Sequence, residues 1–288
     1  MNDTLEIASY IRDGKGVAEK DVDVSFEIEK YAMVETDETR DMIERIWSVK
    51  SQENARLFNQ SKYRLASHGW DEDVRRMKMM VGLTDYKDHM GTNLSKDVDK
   101  YVGVGDSRFA MMSQCVGVGA WVITTDNKVV LVESAPWKGE QACKIDRPGG
   151  HAEPDESLKL LPEDKRSNEN ISNDLVRKEL FECIQKEVRD EVNISLEHQN
   201  KPELLGVIYN LEKGGRLALE FFICLDLASE KVRELYNKGG AEADESTNIF
   251  FIEVKDVKNS EVDPKIVKRL TPHATGSIEL LKRRLESH

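Results

Sequence analysis

Apolar and polar residues alternate along the first hundred positions in short patterns typical of small strands and helices. Residues 5–10 and 22–28 are predicted to be strands, and a helix is predicted over residues 37–57. A second short helix is predicted over residues 71–80, and a further helical turn over residues 84–89. These short elements predict a small α+β region at the N-terminus.

The rest of the chain alternates strands and helices more regularly. The apolar segments 114–124 and 129–132 are joined by the turn signal Asp126-Asn127, which predicts a β-hairpin. Further strands are predicted over residues 204–210, 217–225 and 249–254, and helices over residues 229–236 and 272–285. This order favours an α/β/α sandwich. We therefore predict two domains, a smaller α+β domain over residues 1–110 and an α/β domain with a mixed sheet over residues 111–288.

Two segments of the second domain combine glycines with acids. Gly149-Gly150 follows a predicted strand, and glycine lets a backbone approach a ligand closely or adopt a positive φ. Downstream, Glu187, Asp190 and Glu191 lie at positions i, i+3 and i+4, which are neighbours on a helix. Like charges at this spacing repel each other. Carboxylate oxygens are ligands that suit Mg²⁺ and Mn²⁺, so a divalent cation would neutralise them.

The glycine turn decides how the acidic stripe is interpreted. By itself, such a stripe is more typical of a solvated helix face. Mg²⁺ in proteins usually takes one or two carboxylates together with water and substrate phosphate oxygens. An acidic helix beside a glycine turn therefore predicts a site for a phosphate and a divalent metal.

The overall composition restricts the classes of function. With 42 Lys and Arg against 54 Asp and Glu, the formal net charge of −12 argues against a nucleic-acid binder. No apolar run is long enough to span a membrane, and the N-terminus lacks a signal-peptide pattern. The four cysteines are widely spaced, as is typical of reduced thiols. We expect an intracellular protein, cytoplasmic or nuclear, that acts on a small molecule and has no obligate protein partner.

Together the two segments resemble a split Nudix box, the signature G-x5-E-x7-R-E-U-x-E-E-x-G-U, in which U is a bulky aliphatic residue. Residues 150–156 match the first half, and residues 186–194 match the second half with three departures. Residues 157–185 intervene where the family has seven residues. The polar run 162–170 is predicted to be an inserted loop, and we take the insertion to span residues 157–178.

The three departures leave the acids of the box in place. Lys186 replaces the arginine and keeps its charge, but it lacks the planar fork of a guanidinium group. Asp190 replaces a glutamate and is one methylene shorter. Asn193 replaces the glycine, and asparagine tolerates left-handed backbone dihedrals better than most residues. A working, slightly looser metal site is therefore expected.

Short segments spread over the chain resemble the branch of this family that hydrolyses uridine diphosphate sugars. They are Leu57–Asn59, Lys62–Leu65, Gly82–Tyr86, Gly91–Leu94, Glu179–Phe181, Asp190–Asn193, Gly239–Ala243 and Glu245–Phe251. The resemblance implies the Nudix fold and a Mg²⁺-dependent hydrolase, with Mn²⁺ as a possible substitute. It also implies that UDP-glucose or UDP-galactose, a small nucleotide sugar, is cleaved to UMP and the sugar 1-phosphate.

The resemblance also suggests roles for individual residues. Glu187 and Glu191, with Asp190 beside them, are expected to bind the metal and to be catalytic. The predicted substrate-binding residues are Phe58, Tyr86, Asp146, Gly150, His151, Glu153 and His273. Among these, Phe58 and Tyr86 would come from the N-terminal domain to line a uridine pocket, although both rings are also compatible with core packing. His273 is included because it lies at the start of a predicted helix, and helix N-termini attract anions.

Some alternatives stay open at the level of sequence. The proton acceptor for the attacking water could be Glu191, Glu245 or a hydroxide on the metal. The substrate could be another nucleotide, such as ADP-ribose or an oxidised nucleoside triphosphate. The altered box is also compatible with a nucleotide-binding module that has lost catalysis.

Overall fold

The computed structural model describes residues 4–55, 57–103, 105, 107–137, 142–154 and 171–286. Within these residues the strands are β1 (Leu5–Ser9), β2 (Val17–Ala18), β3 (Val22–Phe26), β4 (Ser61–Asp71), β5 (Arg76–Asp85), β6 (Gly117–Ile123), β7 (Lys128–Ser134), β8 (Ile145–Asp146), β9 (Gly149–His151), β10 (Glu203–Asn210), β11 (Arg216–Cys224) and β12 (Ser246–Glu253). The helices are α1 (Asp37–Glu53), α2 (Tyr86–Gly91), α3 (Asn173–Val192), α4 (Ser229–Lys238), α5 (Val254–Asn259), α6 (Pro264–Val267) and α7 (Pro272–Leu285). None of these helices is both long enough and apolar enough to cross a membrane.

The large sheet has the strand order β1-β10-β11-β6-β7-β12. β11 and β6 run parallel, whereas β10–β11 and β6–β7 are antiparallel, so the sheet is mixed as predicted. Along β6, Ala120 and Val122 belong to a hydrophobic core shared with α3, and Trp121 and Ile123 belong to a second core shared with α7. Because successive strand residues point to opposite faces, both faces are covered by helices. This arrangement confirms the α/β/α sandwich.

The smaller sheet, with the order β3-β5-β4, corrects one prediction. Residues 71–80 do not form a helix; they close an antiparallel β4–β5 hairpin. The Asp71 carboxylate accepts hydrogen bonds from two backbone N–H groups of the turn. Met77 and Met79 are at most 1% exposed, while the side chain of Lys78 between them is 47% exposed. Cross-strand pairing and this period of two outweigh the helical propensity of the segment.

The two sheets are joined by backbone hydrogen bonds at the glycine turn. Tyr63 of β4 donates its N–H to the carbonyl of Ala152 (3.1 Å), and its own carbonyl accepts the N–H of Val116 (2.9 Å). In addition, β1 pairs with β10 in the large sheet, with Ile7 opposite Ile208. The division of the chain at residue 110 stays a prediction, and strands from before this position are bonded to strands after it.

The helix α3 carries the acidic half of the predicted motif and has defined ends. At its N-terminus the hydroxyl of Ser172 accepts the N–H of Leu175 (3.1 Å). At its C-terminus Asn193 adopts the left-handed conformation, with φ 60° and ψ 41°. The Asn193 amide also donates to the carbonyl of Leu235 (2.8 Å), a bond that glycine could not make. The tolerance predicted for asparagine at this position is confirmed.

The boundaries of the other predicted elements agree with the structure to different degrees. The predicted closing helix coincides with α7, and the predicted helix over residues 37–57 ends earlier, at Glu53. Residues 173–178, which we assigned to the insertion, form the first turns of α3. The predicted loop over residues 162–170 and the glutamate Glu156 lie outside the described residues.

Candidate active site

A cavity of about 530 Å³ lies among the glycine turn, α3, the loop that precedes β12 and the smaller sheet. Most of the predicted site residues line it: Tyr86, Asp146, Gly150, His151, Glu153, Glu187, Glu191 and His273. The lining also contains residues that were not predicted to bind substrate or metal, among them Lys62, Arg147, Arg216, Glu242 and Glu245. The fold thus gathers most of the predicted site in one place.

A Cβ atom at Gly150 would meet the carboxylate of Glu187, which lies directly against this glycine. A Cβ atom at Gly150 would lie 2.3 Å from Oε1 and 2.5 Å from Oε2 of Glu187. Gly150 is not in the positive-φ region, so close approach is the reason for the glycine. Its neighbour Gly149 is more strictly constrained, because a Cβ there would lie 2.2 Å from the carbonyl oxygen of Val118, a backbone atom, whereas the Glu187 carboxylate is the end of a flexible side chain.

A cluster of three carboxylates stands at the acidic wall of the cavity. Oxygens of Glu191, Glu242 and Glu245 lie within 4.8 Å of one another. Glu191 is only 6% exposed, whereas Glu242 and Glu245 are partly exposed. The loop that carries Glu242 is docked on α3, since the Glu242 N–H donates to the carbonyl of Asp190 (3.1 Å). Glu245 was predicted only as a proton acceptor, and Glu242 was not predicted as a site residue.

Asp190, the third predicted acid of the helix, is placed elsewhere. Its carboxylate accepts hydrogen bonds from Nε and Nη2 of Arg189, both at 2.7 Å. It is not among the residues that line the cavity. The structure therefore brings Glu187 and Glu191 to the cavity without Asp190, whose backbone carbonyl anchors the Glu242 loop instead.

Arg147 forms a buried part of the wall and is held by two carboxylates. Its Nε donates to Oε2 of Glu220 (2.9 Å), and its Nη1 donates to Oδ1 of Asp146 (2.6 Å). Glu220 is fully buried, and this burial raises its pKa, while the Arg147 guanidinium opposes the shift. Gly119 leaves room for this guanidinium, because a Cβ there would lie 2.4 Å from it. These contacts fix the position of Asp146 at the cavity.

His273 lines the cavity as a neutral group. Burial lowers the pKa of His273 to about 3, with Arg147 and Arg216 acting in the same direction. Its Nε2 lies 3.2 Å from the carbonyl oxygen of Arg216, which can only accept, so Nε2 carries the proton. The Thr271 hydroxyl caps the helix by accepting the N–H of Ala274 (3.1 Å). His273 therefore offers a hydrogen-bond acceptor at Nδ1 and no positive charge.

A second cavity of about 250 Å³ adjoins the first and is lined by Asn54, Leu57, Phe58, Gln60, Lys62 and Tyr86. Phe58 is 68% exposed, so the alternative of a core residue is wrong for this ring. Tyr86 lines both cavities. Lys62, at the same junction, donates a hydrogen bond to the Glu153 carboxylate, as does the amide of Gln60.

The residues of the acidic wall fit a divalent cation. Three carboxylates within 4.8 Å repel one another strongly unless a positive charge lies among them. The oxygen-only donor set is the kind that Mg²⁺ and Mn²⁺ select. Glu191, Glu242 and Glu245 are the residues that would hold such an ion, and Glu187, which was predicted as a ligand, lines the same cavity.

No protein-family profile matches the chain, but individual proteins do. The uridine diphosphate glucose pyrophosphatase NUDT22 of Homo sapiens is 34% identical over 249 residues, which cover 84% of this chain and 80% of the human protein. NUDT22 of Mus musculus is 33% identical over 247 residues, 84% of this chain and 79% of the mouse protein. Nudix hydrolase 9 of Arabidopsis thaliana is 29% identical over 230 residues, 76% of this chain and 73% of the plant protein.

These relatives, together with the glycine turn and the acidic helix, establish the family: the chain belongs to the Nudix hydrolases. Within that family, the mammalian proteins that it matches over most of its length carry the name uridine diphosphate glucose pyrophosphatase. Among solved structures, the MutT protein of Methanosarcina mazei is 16% identical over 60% of this chain and 93% of that chain, with a TM-score of 0.34.

Proposed function

We propose that this Nudix hydrolase cleaves the diphosphate of UDP-glucose, and also of UDP-galactose, to UMP and the sugar 1-phosphate. The name of the mammalian relatives supports the substrate class, and their similarity extends over 84% of the chain. The observation that carries the chemistry is the placement of Glu187 and Glu191 against the glycine turn, at the wall of a cavity large enough for a nucleotide sugar.

The charge of the cavity supports dependence on a divalent cation, with Mg²⁺ as the proposed ion and Mn²⁺ as a substitute. Among the described lining residues, six carboxylates stand against three Lys or Arg side chains. A diphosphate would be repelled by this excess of negative charge. When bound, the cation would neutralise charge on the non-bridging oxygens of the diphosphate.

The protein residues have separable tasks in this proposal. Glu191 is held by the N–H of Gly149 (3.1 Å) and is nearly buried, which suits a fixed metal ligand. Glu245 is partly exposed at the same cluster, and we assign it to the metal together with Glu242. Asp146, held by Arg147, would accept hydrogen bonds from substrate hydroxyl groups.

The uridine is proposed to stack on aromatic side chains of the N-terminal part. Phe58 is exposed at the smaller cavity, and Tyr86 lies between the two cavities. Stacking of a base on an aromatic ring contributes about 1–3 kcal/mol to binding. His151 and Glu153 line the larger cavity and would contact the substrate there.

A substrate panel tests the proposal. The protein is incubated with Mg²⁺ or Mn²⁺ and with UDP-glucose, UDP-galactose, ADP-ribose or an oxidised nucleoside triphosphate, and kcat/KM is measured for each. We expect the two UDP-sugars to be the best substrates and UMP to be released. Faster turnover of ADP-ribose or the triphosphate would overturn the substrate assignment. Binding of UDP-glucose without turnover of any substrate would instead indicate a non-catalytic module.

A further inference from the structure

Lys62 has no role in the metal binding or the base stacking proposed for this site. It lies on β4 of the smaller sheet, yet it reaches the cavity beside the glycine turn. Among the described lining residues, only Lys62 and Tyr86 border both cavities. A ligand that extended from one cavity into the other would pass this ammonium group.

The burial of Lys62 is costly. The residue is 7% exposed, and removing an ammonium group from water costs several kcal/mol unless an opposite charge compensates. Glu153 supplies that charge, and the same carboxylate accepts a hydrogen bond from Gln60. The Glu153 side chain is 31% exposed, and an ion pair that is partly open to solvent adds little net stability. A pair at the wall of a ligand cavity is therefore better explained by binding than by folding.

The other cations of the cavity are differently placed. Arg147 is already bound by Glu220 and Asp146. Lys62 and Arg216 both lower the pKa of the buried His89, after the larger effects of burial and of His151, so these two cations act on one region of the cavity. Of the described Lys and Arg residues in the lining, Lys62 and Arg216 can therefore meet an anionic substrate away from the Arg147 ion pairs.

We propose that Lys62 is a substrate-binding residue whose ammonium group binds a phosphate oxygen at the junction of the two cavities. Glu153 holds the ammonium group in position before the substrate arrives, and the phosphate then becomes an additional partner. The ligand is a nucleoside diphosphate with one end in each cavity. In this respect the inference rests on the proposed function. It adds a specificity element, because a nucleoside without phosphates gains nothing from Lys62.

Calorimetric titration with UDP and with uridine, in the presence of Mg²⁺, tests this role. We expect Lys62→Met to weaken UDP binding by about tenfold to a hundredfold, the usual range for a lost charged hydrogen bond, and to leave uridine binding unchanged. Lys62→Arg should recover part of the affinity. Lys78→Met is the matched control, because Lys78 lies on the neighbouring strand and pairs with Asp71 outside the cavity.

Removal of Lys62 alone leaves Glu153 without its cation and could unfold the protein. The double variant Lys62→Met/Glu153→Met removes both charges and should fold, which a thermal melt would verify. It is expected to lose UDP affinity at least as much as Lys62→Met does, and any further loss measures the contact of Glu153 itself with the substrate. Wild-type affinity for UDP in either folded variant would overturn the role of Lys62.

The outcome is separable from the proposed function. Turnover of UDP-glucose by the wild-type protein tests the function, and inorganic pyrophosphate with Mg²⁺ tests the phosphate contact without a nucleoside. If UDP-glucose is not hydrolysed but Lys62→Met still weakens pyrophosphate binding, the function fails and the role of Lys62 stands. If UDP-glucose is hydrolysed and Lys62→Met binds pyrophosphate and UDP normally, the inference about Lys62 fails alone.

Discussion

Gly149 donates its backbone N–H to the carboxylate of Glu191 at 3.1 Å, so the glycine turn itself holds one of the acids of the helix. The adjacent Gly150 lies against Glu187, so a Cβ at this position would displace the Glu187 carboxylate. Turn and helix are therefore one unit, and the acids need not be ordered by the substrate. Such a preformed site reduces the cost of arranging the reacting groups.

The contact between Gly150 and Glu187 predicts that Gly150→Ala is damaging. The added methyl group must displace the Glu187 carboxylate or the turn, so we expect kcat to fall at least about tenfold. Gly69→Ala is the control, because a Cβ at Gly69 meets no atom within 4 Å. Equal activity of both variants in a steady-state assay would show that Glu187 need not keep its present position.

Removal of the charge at the acids of α3 should abolish most of the activity. Glu187→Gln and Glu191→Gln are each expected to lower kcat by about two or more orders of magnitude, because they remove a metal-binding oxygen charge. Glu182→Gln is a matched control on the same helix, where Glu182 pairs with Lys178 at 3.4 Å. The prediction is contradicted if Glu187→Gln and Glu182→Gln have the same kcat.

The carboxylates outside α3 predict a metal-dependent change in stability. A cation that binds only the folded state raises Tm, and its effect grows with the concentration of the ion. We expect Mg²⁺ or Mn²⁺ to raise Tm of the wild-type protein. The shift should be smaller for Glu242→Gln and Glu245→Gln, since their oxygens lie within 4.8 Å of Glu191. Thermal melts over a range of ion concentrations check this, and an undiminished shift in both variants would exclude these two residues as ligands.

Phe58 should affect substrate affinity without affecting stability. Its ring is 68% exposed, so Phe58→Ala removes little buried surface. Loss of base stacking is worth about 1–3 kcal/mol, and we therefore expect KM for UDP-glucose to rise about fivefold or more. Phe58→Trp should retain the affinity. An unchanged KM together with an unchanged Tm would mean that the uracil ring of the substrate does not stack on Phe58.

His68 predicts a loss of stability in mild acid. Its two ring nitrogens bond the hydroxyl groups of Tyr10 and Tyr209, which lie on the large-sheet side, and burial lowers its pKa to about 4. Between this value and the unfolded value of 6.5, only the unfolded state takes up the proton. The free energy of unfolding must therefore decrease as the pH falls from 6.5 to 4, by up to about 3 kcal/mol from this residue.

Urea unfolding at several pH values measures that effect. The free energy of unfolding of the wild-type protein should fall more steeply between pH 6.5 and pH 4 than that of His68→Gln, whose amide does not titrate. The carboxylates contribute to both proteins and cancel in the comparison. Parallel curves for the two proteins would mean that the pKa of His68 is the same in the folded and unfolded states.

The predictions from sequence succeeded where a local pattern has one interpretation. The hydrophobic strands β6, β7, β10 and β11 and the closing helix α7 follow from their periodicity and turn residues. The helix predicted over residues 71–80 was wrong, because a short segment of mixed charged and apolar residues fits both a helix and a hairpin. Its partner strand, which decides between them, is β4.

The residues of the site likewise include some that a local sequence pattern predicts and others that it does not. The glycine turn and the spacing of Glu187 and Glu191 were visible in the sequence, because a helix fixes the distance between positions i and i+4. Asp190 has suitable chemistry and a suitable position, but Arg189 binds it outside the cavity. Glu242 lies in the segment Gly239–Ala243 that resembles the family, but nothing local tells that this loop docks against α3.

The sequence by itself determined the elements, the family resemblance and the pair of acids that stand one helical turn apart, all of which depend on neighbours along the chain. Only the tertiary structure decided which distant groups meet these acids: Glu242 and Glu245 from a loop fifty residues later, and Lys62 from a strand more than a hundred residues earlier. Side chains so far apart in sequence come together through sheet register and loop docking, and these are set by burial and hydrogen bonding across the whole fold.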